Sequence, residues 1–343
     1  MRFPHRAHLT TMDIRENVSL APLTTFKIGG PARYLALART VEDVRKALAF
    51  AKEKERKIFI LGGGSNVLFD DAGFDGLVVQ VAIEGVERDR TAFIVGAGEN
   101  WDALVGQAVE SKLWGIENLS GIPGTVGGAV VQNIGAYGAA LSQTFQWAEV
   151  FDTTDARVKR ISKEEYASGY RESIFKHHEG RYAILRAAFA LSDAPSPNIS
   201  YKDLAQRFAG REPALPAIRS AVLKIRAAKF PDISKEGTAG SFFKNPLLPR
   251  EDALKLQAHH PGMPLFDLPE SKEVKVPLAW LLDHALNLRG YRMGTARLFE
   301  RQPLVIVADR GATAEDVRTL AEFVQEKIRR SFKIEIEPEV RIV

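Results

Sequence analysis

The run GTAGSFFKNP at 237–246 brings one hydroxyl, that of Ser241, to the end of a stretch nearly free of side chains. Two phenylalanines and then Lys244, Asn245 and Pro246 follow directly. A turn needs glycine, but it does not need a hydroxyl set between bare backbone, aromatic bulk and a cation.

Two other runs are equally bare. In LGGGSNVLF, Gly62, Gly63, Gly64, Ser65 and Asn66 follow a buried strand pattern, and successive free backbone N–H groups there can cradle a pyrophosphate. A glycine turn after a strand is also commonplace, and the spacing is not the G-x-G-x-x-G of a Rossmann dinucleotide site. The second run, SGIPGTVGGAVVQNIGAYG at 120–138, holds six glycines. A segment this empty lets backbone approach a large flat ligand. Together the two tracts suggest opposite walls of one nucleotide-cofactor cleft.

Three charged residues are ambiguous taken singly. Arg171 in SGYRESIF reads as a surface partner of Glu172 or a neighbour, and Glu339 shares one face of an alternating strand with Glu335 and Glu337. Pro338 marks a bulge or edge that can re-aim Glu339. Lys229 closes a helix pattern, where a cation meets the dipole favourably without any further role.

The elements that must position these residues are legible from periodicity. After a tail of about 20 residues, a glycine turn leads into the strand of PARYLALA, and Thr40 with Asp43 forms a capping box for a helix with Val41, Val44, Leu48 and Phe50 on its apolar face. KIFIL returns as a buried strand, completing a β-α-β unit. GLVVQVAI and AFIVGAG read as strands and Trp101, Leu104, Val105, Ala108 and Val109 as a helix face opening a second α/β unit. WAEVFDTTDARVKRIS reads as a hairpin, followed by a short helix capped by Ser162 and Glu165. From ALPAIRSAVLKIRAAKF the pattern turns helical through PREDALKLQAHH and PLAWLLDHAL. The strand PLVIVAD, a capped helix from Thr313 to about Ser331, and the strand FKIEIEPEVRIV end the chain.

Composition bounds the function. The 343 residues are 45% hydrophobic and 26% charged, which fits a globular chain of two or three domains. No cysteine is present, so disulfide, thiolate-metal and dithiol chemistry are excluded and electron transfer must use a bound cofactor. The net charge of +4 suits acidic small molecules as readily as nucleic acid, but the cations are spread along the chain rather than clustered, so nucleic acid is not expected as the main partner. The seven histidines show no paired-ligand spacing, so no metal is expected. No secretory or membrane-spanning apolar segment is apparent, and the chain is read as cytoplasmic and monomeric, with no membrane partner.

The motifs GGGSNVLF, IPGTVGGAVVQNIGAYG, GYRESIFK, IRAAKFPD, AGSFFKNP and EPEVRIV resemble, in this order, those of the UDP-N-acetylenolpyruvoylglucosamine reductase family, over residues 20 to 343. The resemblance implies an α+β protein: an FAD-binding fold of the PCMH type, made of two α/β subdomains, plus a C-terminal substrate-binding α/β domain. The expected division is 1–19 as an extension, 20–85 and 86–225 as the FAD subdomains, 226–330 as the substrate domain, and 331–343 as a strand returning to the active site. It also implies non-covalently bound FAD, NADPH as co-substrate, and a nucleotide sugar bearing an enolpyruvyl ether as the substrate to be reduced.

By the same resemblance Ser241 matches the serine that protonates the carbon left anionic when hydride is added, and Arg171 and Glu339 match the pair that stabilises the enol-type intermediate. FAD contacts fall on Gly62, Gly63, Gly64, Ser65, Asn66, Gly121, Ile122, Pro123, Gly124, Gly127, Gly128, Asn133, Gly135 and Ala136. Tyr201 and Lys229 match residues that hold the diphosphate, Asn245 and Gln302 further substrate contacts, and Tyr170 a tyrosine lining the nicotinamide and substrate site. One departure is visible: the family often has histidine where this chain has Phe299. The rival readings are an oxidase sharing the flavin fold and a non-catalytic nucleotide-sugar binder. The first commonly needs histidine or cysteine at the pyrophosphate loop, and the second has no use for Ser241, Arg171 and Glu339 together.

Overall fold

The computed structural model describes residues 12–167, 169–267 and 272–343. Its first sheet has Pro31–Ala38, Phe74–Val81 and Lys57–Leu61 side by side in parallel, with Phe74–Val81 in the middle. The crossover helix Val41–Glu53 starts where expected: Thr40 Oγ1 accepts from the Asp43 amide at 3.1 Å and the Asp43 carboxylate accepts from the Thr40 amide at 2.9 Å. Its buried stripe is Val44, Ala47, Leu48 and Ala51, while Val41, in the first turn, stays exposed. The tail reading is corrected from residue 14 onward. Ile14–Ser19 is an antiparallel edge strand on Pro31–Ala38, and Met1 to Thr11 lie outside the described residues.

The second sheet is antiparallel throughout, in the order Arg157–Ser162, Phe145–Asp152, Tyr182–Ala190, Ala92–Gly96 and Val86–Asp89. Helices Trp101–Glu110 and Val126–Gln132 pack on it, with Trp101, Leu104, Val105, Val126 and Val130 in its core. Ser162 and Glu165 do exchange capping contacts, at 3.3 and 2.8 Å, yet they close only a turn. The chain leaves that turn to bury Tyr166 under the helix Val126–Gln132, whose Val130 carbonyl accepts from the Tyr166 hydroxyl at 2.6 Å. Leu215–Lys229 then lies across the second unit, held by an Arg219–Asp102 ion pair of 2.6 Å.

The last region sets the helix Ala314–Phe332 on a small sheet of Ala296–Phe299 and Gln302–Ala308. Thr313 and Asp316 cap it as expected. Phe242 and Phe243 are buried in the same core, which explains the aromatic pair after Ser241: each burial stabilises by roughly 1.5–3 kcal/mol and anchors the bare turn beside it. PLAWLLDHAL begins as a helix at Leu278–Trp280 but widens into a π turn at Leu281–Ala285. FKIEIEPEVRIV is not one strand. Residues 333–337 run on without regular ladder pairing, Pro338 bridges Phe243, and only Arg341–Ile342 forms a strand, parallel to Val67–Leu68.

Candidate active site

The two glycine tracts touch. A Cβ added to Gly63 would lie 2.7 Å from the Cα of Gly124, and one on Gly62 would lie 2.8 Å from Thr125 Oγ1, so neither glycine leaves room for a side chain between the tracts. Ser65 Oγ donates to the Pro123 carbonyl at 3.0 Å and ties the seam. At Gly64 the requirement is conformational as well: φ is +63° and a Cβ would fall 1.8 Å from the Leu23 carbonyl oxygen.

Beyond the seam, Thr125 caps the helix Val126–Gln132 and Asn133 ends it in a left-handed conformation. The Asn133 amide is buried and used within the protein, donating to the Gly169 carbonyl at 2.8 Å and accepting from the Ser142 amide at 3.1 Å. Gly135 and Ala136 enter a tight ribbon with Ala139 and Ala140.

This seam fits FAD. The turn and loop hydrogen bonds of the described residues include no donation from the amides of Gly63, Gly64, Ser65 and Asn66, which leaves a run of donors for a pyrophosphate. No carboxylate side chain occurs in 62–66 or 121–128, and neither stretch holds histidine or cysteine for a covalent link.

The catalytic candidates converge from distant segments. Phe242 donates to the Leu304 carbonyl at 2.7 Å, and its own carbonyl accepts from the Glu339 amide at 2.7 Å. Ser241 is therefore one residue from the peptide that anchors Glu339. Asn66, at the end of the first glycine tract, donates through Nδ2 to the Glu339 carbonyl at 3.0 Å and accepts from the Arg341 amide at 3.1 Å. The Glu339 side chain is 13% exposed against 76% for Glu337, so the expected solvated face does not extend past Pro338.

Arg171 reaches this carboxylate, with Nε 2.7 Å from Glu339 Oε1. The contact is an ion pair without an aligned hydrogen bond; the well-directed bond of Arg171 runs from Nη2 to the Gly135 carbonyl at 2.7 Å. The predicted Glu172 partnership does not form. Glu172 turns instead to Lys244, 2.8 Å away. Arg171 has φ of +59°, and Lys176 Nζ donates to its carbonyl at 2.8 Å.

The proposed substrate residues fall into two groups. Tyr170 and Asn245 meet, the Asn245 amide nitrogen Nδ2 lying 3.2 Å from the Tyr170 hydroxyl, while Asn245 Oδ1 accepts from the Leu278 amide at 2.9 Å. Gln302 opens the strand that carries Leu304 and Val305 past Ser241. Tyr201 and Lys229 form the second group: Lys229 Nζ sits 5.5 Å from the Tyr201 ring centre and pairs with Asp203. Tyr137 packs edge-on against Tyr201 with ring centres 5.1 Å apart, and burial pushes its phenol up to about 12. Gly135, two residues before Tyr137, accepts from Arg171, so the groups lie at two ends of one ribbon. Phe299 is buried with Val305, Val307 and Phe230 as a packing residue.

Sequence reasoning missed several neighbours. Gln132 Nε2 donates to Glu339 Oε1 at 3.0 Å, yet its position in a glycine tract hides it. Lys275 lies 5.4 Å from the Tyr170 ring centre, and burial, then the Arg171 charge, hold its ammonium below the usual lysine range. Lys176 is lowered by burial and then by Lys244. The site thus gathers cations, as a receptor for anions should.

A bare double-glycine seam beside two sheets, joined to a separate domain that delivers a hydroxyl, defines an FAD-binding oxidoreductase, and residues 32–162 match the family model described as an FAD binding domain. Residues 232–343 match the model for the UDP-N-acetylenolpyruvoylglucosamine reductase C-terminal domain. Curated relatives of that name are 38% identical over 97% of this chain and 100% of the protein from Amoebophilus asiaticus, and 37% identical over 96% of this chain and 98% of the protein from Pseudomonas aeruginosa. The crystal structure of UDP-N-acetylenolpyruvylglucosamine reductase from Thermus caldophilus superposes with a TM-score of 0.70 at 27% identity, covering 97% of this chain and 99% of that one. The chain belongs to the UDP-N-acetylenolpyruvoylglucosamine reductase family. Its activity is the FAD-dependent reduction of UDP-N-acetylglucosamine enolpyruvate to UDP-N-acetylmuramate, with NADPH as co-substrate, in peptidoglycan precursor synthesis. Among the described residues no helix is long and apolar enough to cross a membrane.

Proposed function

We propose that Ser241, Arg171 and Glu339 carry the reduction of the enolpyruvyl group in this chain. The single observation behind this reading is the Arg171–Glu339 contact of 2.7 Å, formed one peptide hydrogen bond away from the Ser241 turn. When bound, FAD would supply the redox chemistry, a hydride relay from NADPH to the terminal vinyl carbon.

The protein's part begins with the substrate carboxylate. As the vinyl electrons shift toward the carboxylate-bearing carbon, negative charge spreads onto the carboxylate oxygens, and the Arg171 guanidinium opposes it. Ser241 then delivers its hydroxyl proton to that carbon and recovers one from solvent. Serine is a weak acid, but an enolate carbon beside an ionised carboxylate is basic enough to take the proton within hydrogen-bond reach. Glu339 keeps Arg171 aimed, since both Arg171 and Gln132 bind Oε1.

Tyr201 and Lys229 are assigned to the diphosphate, and Tyr170, Asn245 and Gln302 to the sugar and enolpyruvyl end. The flavin is assigned to the seam of 62–66 and 121–128 with the ribbon through Gly135 and Ala136. Asn133 supports that seam from beneath, since its amide is spent on Gly169 and Ser142. The division at residues 20, 86, 226 and 331 is proposed from the family resemblance; sheet membership supports 86, where the second sheet begins, while the first sheet reaches back to Ile14, and 226 and 331 fall inside the helices Leu215–Lys229 and Ala314–Phe332. A monomer acting in the cytoplasm, without nucleic acid partners, completes the reading.

Anaerobic mixing tests it. NADPH should bleach the yellow protein, and UDP-N-acetylglucosamine enolpyruvate should restore the colour. Bleaching without recovery would remove the assigned substrate.

A further inference from the structure

Lys244 has no part in the roles assigned above, yet it touches the neighbourhood of every catalytic candidate. Its ammonium lies 2.8 Å from Glu172 Oε1 and 3.2 Å from Glu337 Oε2. Glu172 follows Arg171 directly, Glu337 stands two residues before Glu339, and Lys244 itself stands three residues after Ser241. The Lys244 amide also donates to the Glu337 carbonyl at 3.0 Å. We infer that Lys244 is a positioning residue for the reduction step, a single cation that fixes the Arg171 turn and the Glu339 segment against the Ser241 loop.

The physical basis is that three segments must agree in position while only two of them share one large core: Ile336 and Val340 of the Glu339 segment are buried with the phenylalanines of the Ser241 loop, and the Arg171 turn lies outside that cluster. The Ser241 loop is held by buried Phe242 and Phe243. The Arg171 turn carries a left-handed residue and is closed locally by the paired backbone bonds of Gly169 and Glu172, at 3.2 Å each, so its shape is set by backbone while its placement against the Ser241 loop and the Glu339 segment depends on side-chain ties. The Lys244 side chain is 20% exposed and the Glu172 side chain 32%, so the pair is partly shielded from water and holds direction better than an open surface pair. The charges facing it are Glu172 and Glu337, with Lys176 and His177 beyond; His177 lies 3.5 Å from Glu172. Glu337 is largely exposed, so the Glu172 contact is the stronger tie.

The inference rests on the residue roles proposed above, and its test separates the two. Holoenzyme carrying Lys244→Met, Lys244→Arg, or Lys244→Met with Glu172→Gln is compared with the parent by stopped-flow flavin absorbance, each half-reaction alone. Reoxidation by the enolpyruvyl nucleotide should slow about 10–100-fold in Lys244→Met, as misplacing a catalytic group does, while reduction by NADPH stays within about 3-fold. Lys244→Arg should recover most of the loss. The double variant, which removes the orphaned carboxylate and so protects folding, should be no slower than the single one, because the two residues act as a unit. Hydrogen exchange in Lys244→Met should quicken in peptides spanning 169–173 and 336–340 and stay unchanged around 62–66. Equal slowing of both half-reactions, full activity in Lys244→Met, additive losses in the double variant, or unchanged exchange would each overturn the inference. Failure of the parent itself to reoxidise would instead remove the proposed roles, and the inference with them.

Discussion

Arg171 Nε stands 2.7 Å from Glu339 Oε1, a contact between residues 168 positions apart that brings a loop of the second sheet's domain to the segment that follows the last helix. The Arg171 side chain is only 20% exposed. It is therefore a held cation, with Gly135, Gln132 and Lys176 fixing what surrounds it.

Arg171→Lys keeps the charge and loses the planar fork, so the ammonium cannot hold the Gly135 carbonyl, Glu339 and a substrate carboxylate together. Reoxidation of reduced flavin by the enolpyruvyl substrate should slow by about 10²–10³, the usual cost of removing a donor that faces developing negative charge. Single-turnover absorbance measures this directly. A variant rate within a few-fold of the parent would show that charge alone suffices.

Ser241→Ala separates the half-reactions in another way. Reduction by NADPH uses no serine proton and should stay within a few-fold, whereas reoxidation should slow by about 10²–10⁴. Substrate affinity should change little, since one hydroxyl and no charge is lost. No slowing of reoxidation would mean that another group delivers the proton.

Glu172 gives a pH dependence of stability. Burial pushes its carboxyl up, but Lys244, with Lys176 and His177, more than offsets this and holds it below the usual range. A carboxyl lowered on folding stabilises the protein above its unfolded value, about 4.3, and that contribution is lost as pH falls through the folded value. Glu172→Gln should therefore melt below the parent at pH 7, and the gap should narrow as the pH falls below the unfolded value of about 4.3. A gap that persists in acid would assign the loss to packing.

Gly64→Ala should be costly and Gly210→Ala cheap, although both glycines are left-handed, with φ of +63° and +71°. At Gly210 a Cβ meets nothing within 4 Å, so only backbone strain of roughly 1–2 kcal/mol applies. At Gly64 the same atom would fall 1.8 Å from the Leu23 carbonyl, and the loop proposed to cradle the flavin must move. Flavin retention on gel filtration should be lost in Gly64→Ala alone, and the melting temperature should fall further in Gly64→Ala than in Gly210→Ala.

Local structure was readable wherever the cause was local. Thr40 with Asp43 and Thr313 with Asp316 start helices through contacts three residues apart, and the hairpin around Asp152 follows from alternation. Ser162 and Glu165 show the limit: their box closes, but burying Tyr166 under a distant helix wins over helix propensity. The edge strand Ile14–Ser19 carries mostly exposed side chains, so no apolar alternation marks it. The glycine tracts announced a cleft, yet that they touch at Gly63 and Gly124 follows only from tertiary packing. Glu339 looked solvated because Glu335 and Glu337 are; its partners Arg171, Gln132 and Asn66 lie far away in sequence.

The stitching of Asn66 to Glu339 and Arg341 sets the order in which the site can come into being. These partners are separated by 273 positions for the Asn66–Glu339 bond, and ribosomes add residues from the N-terminal side. A nascent chain that has emerged only as far as the helix Ala314–Phe332 already possesses the glycine seam and the Ser241 turn, but Val67–Leu68 still lacks its parallel neighbour and Arg171 lacks its carboxylate. The end of the first glycine loop and the Arg171 contact are therefore both completed only when residues 339–342 arrive.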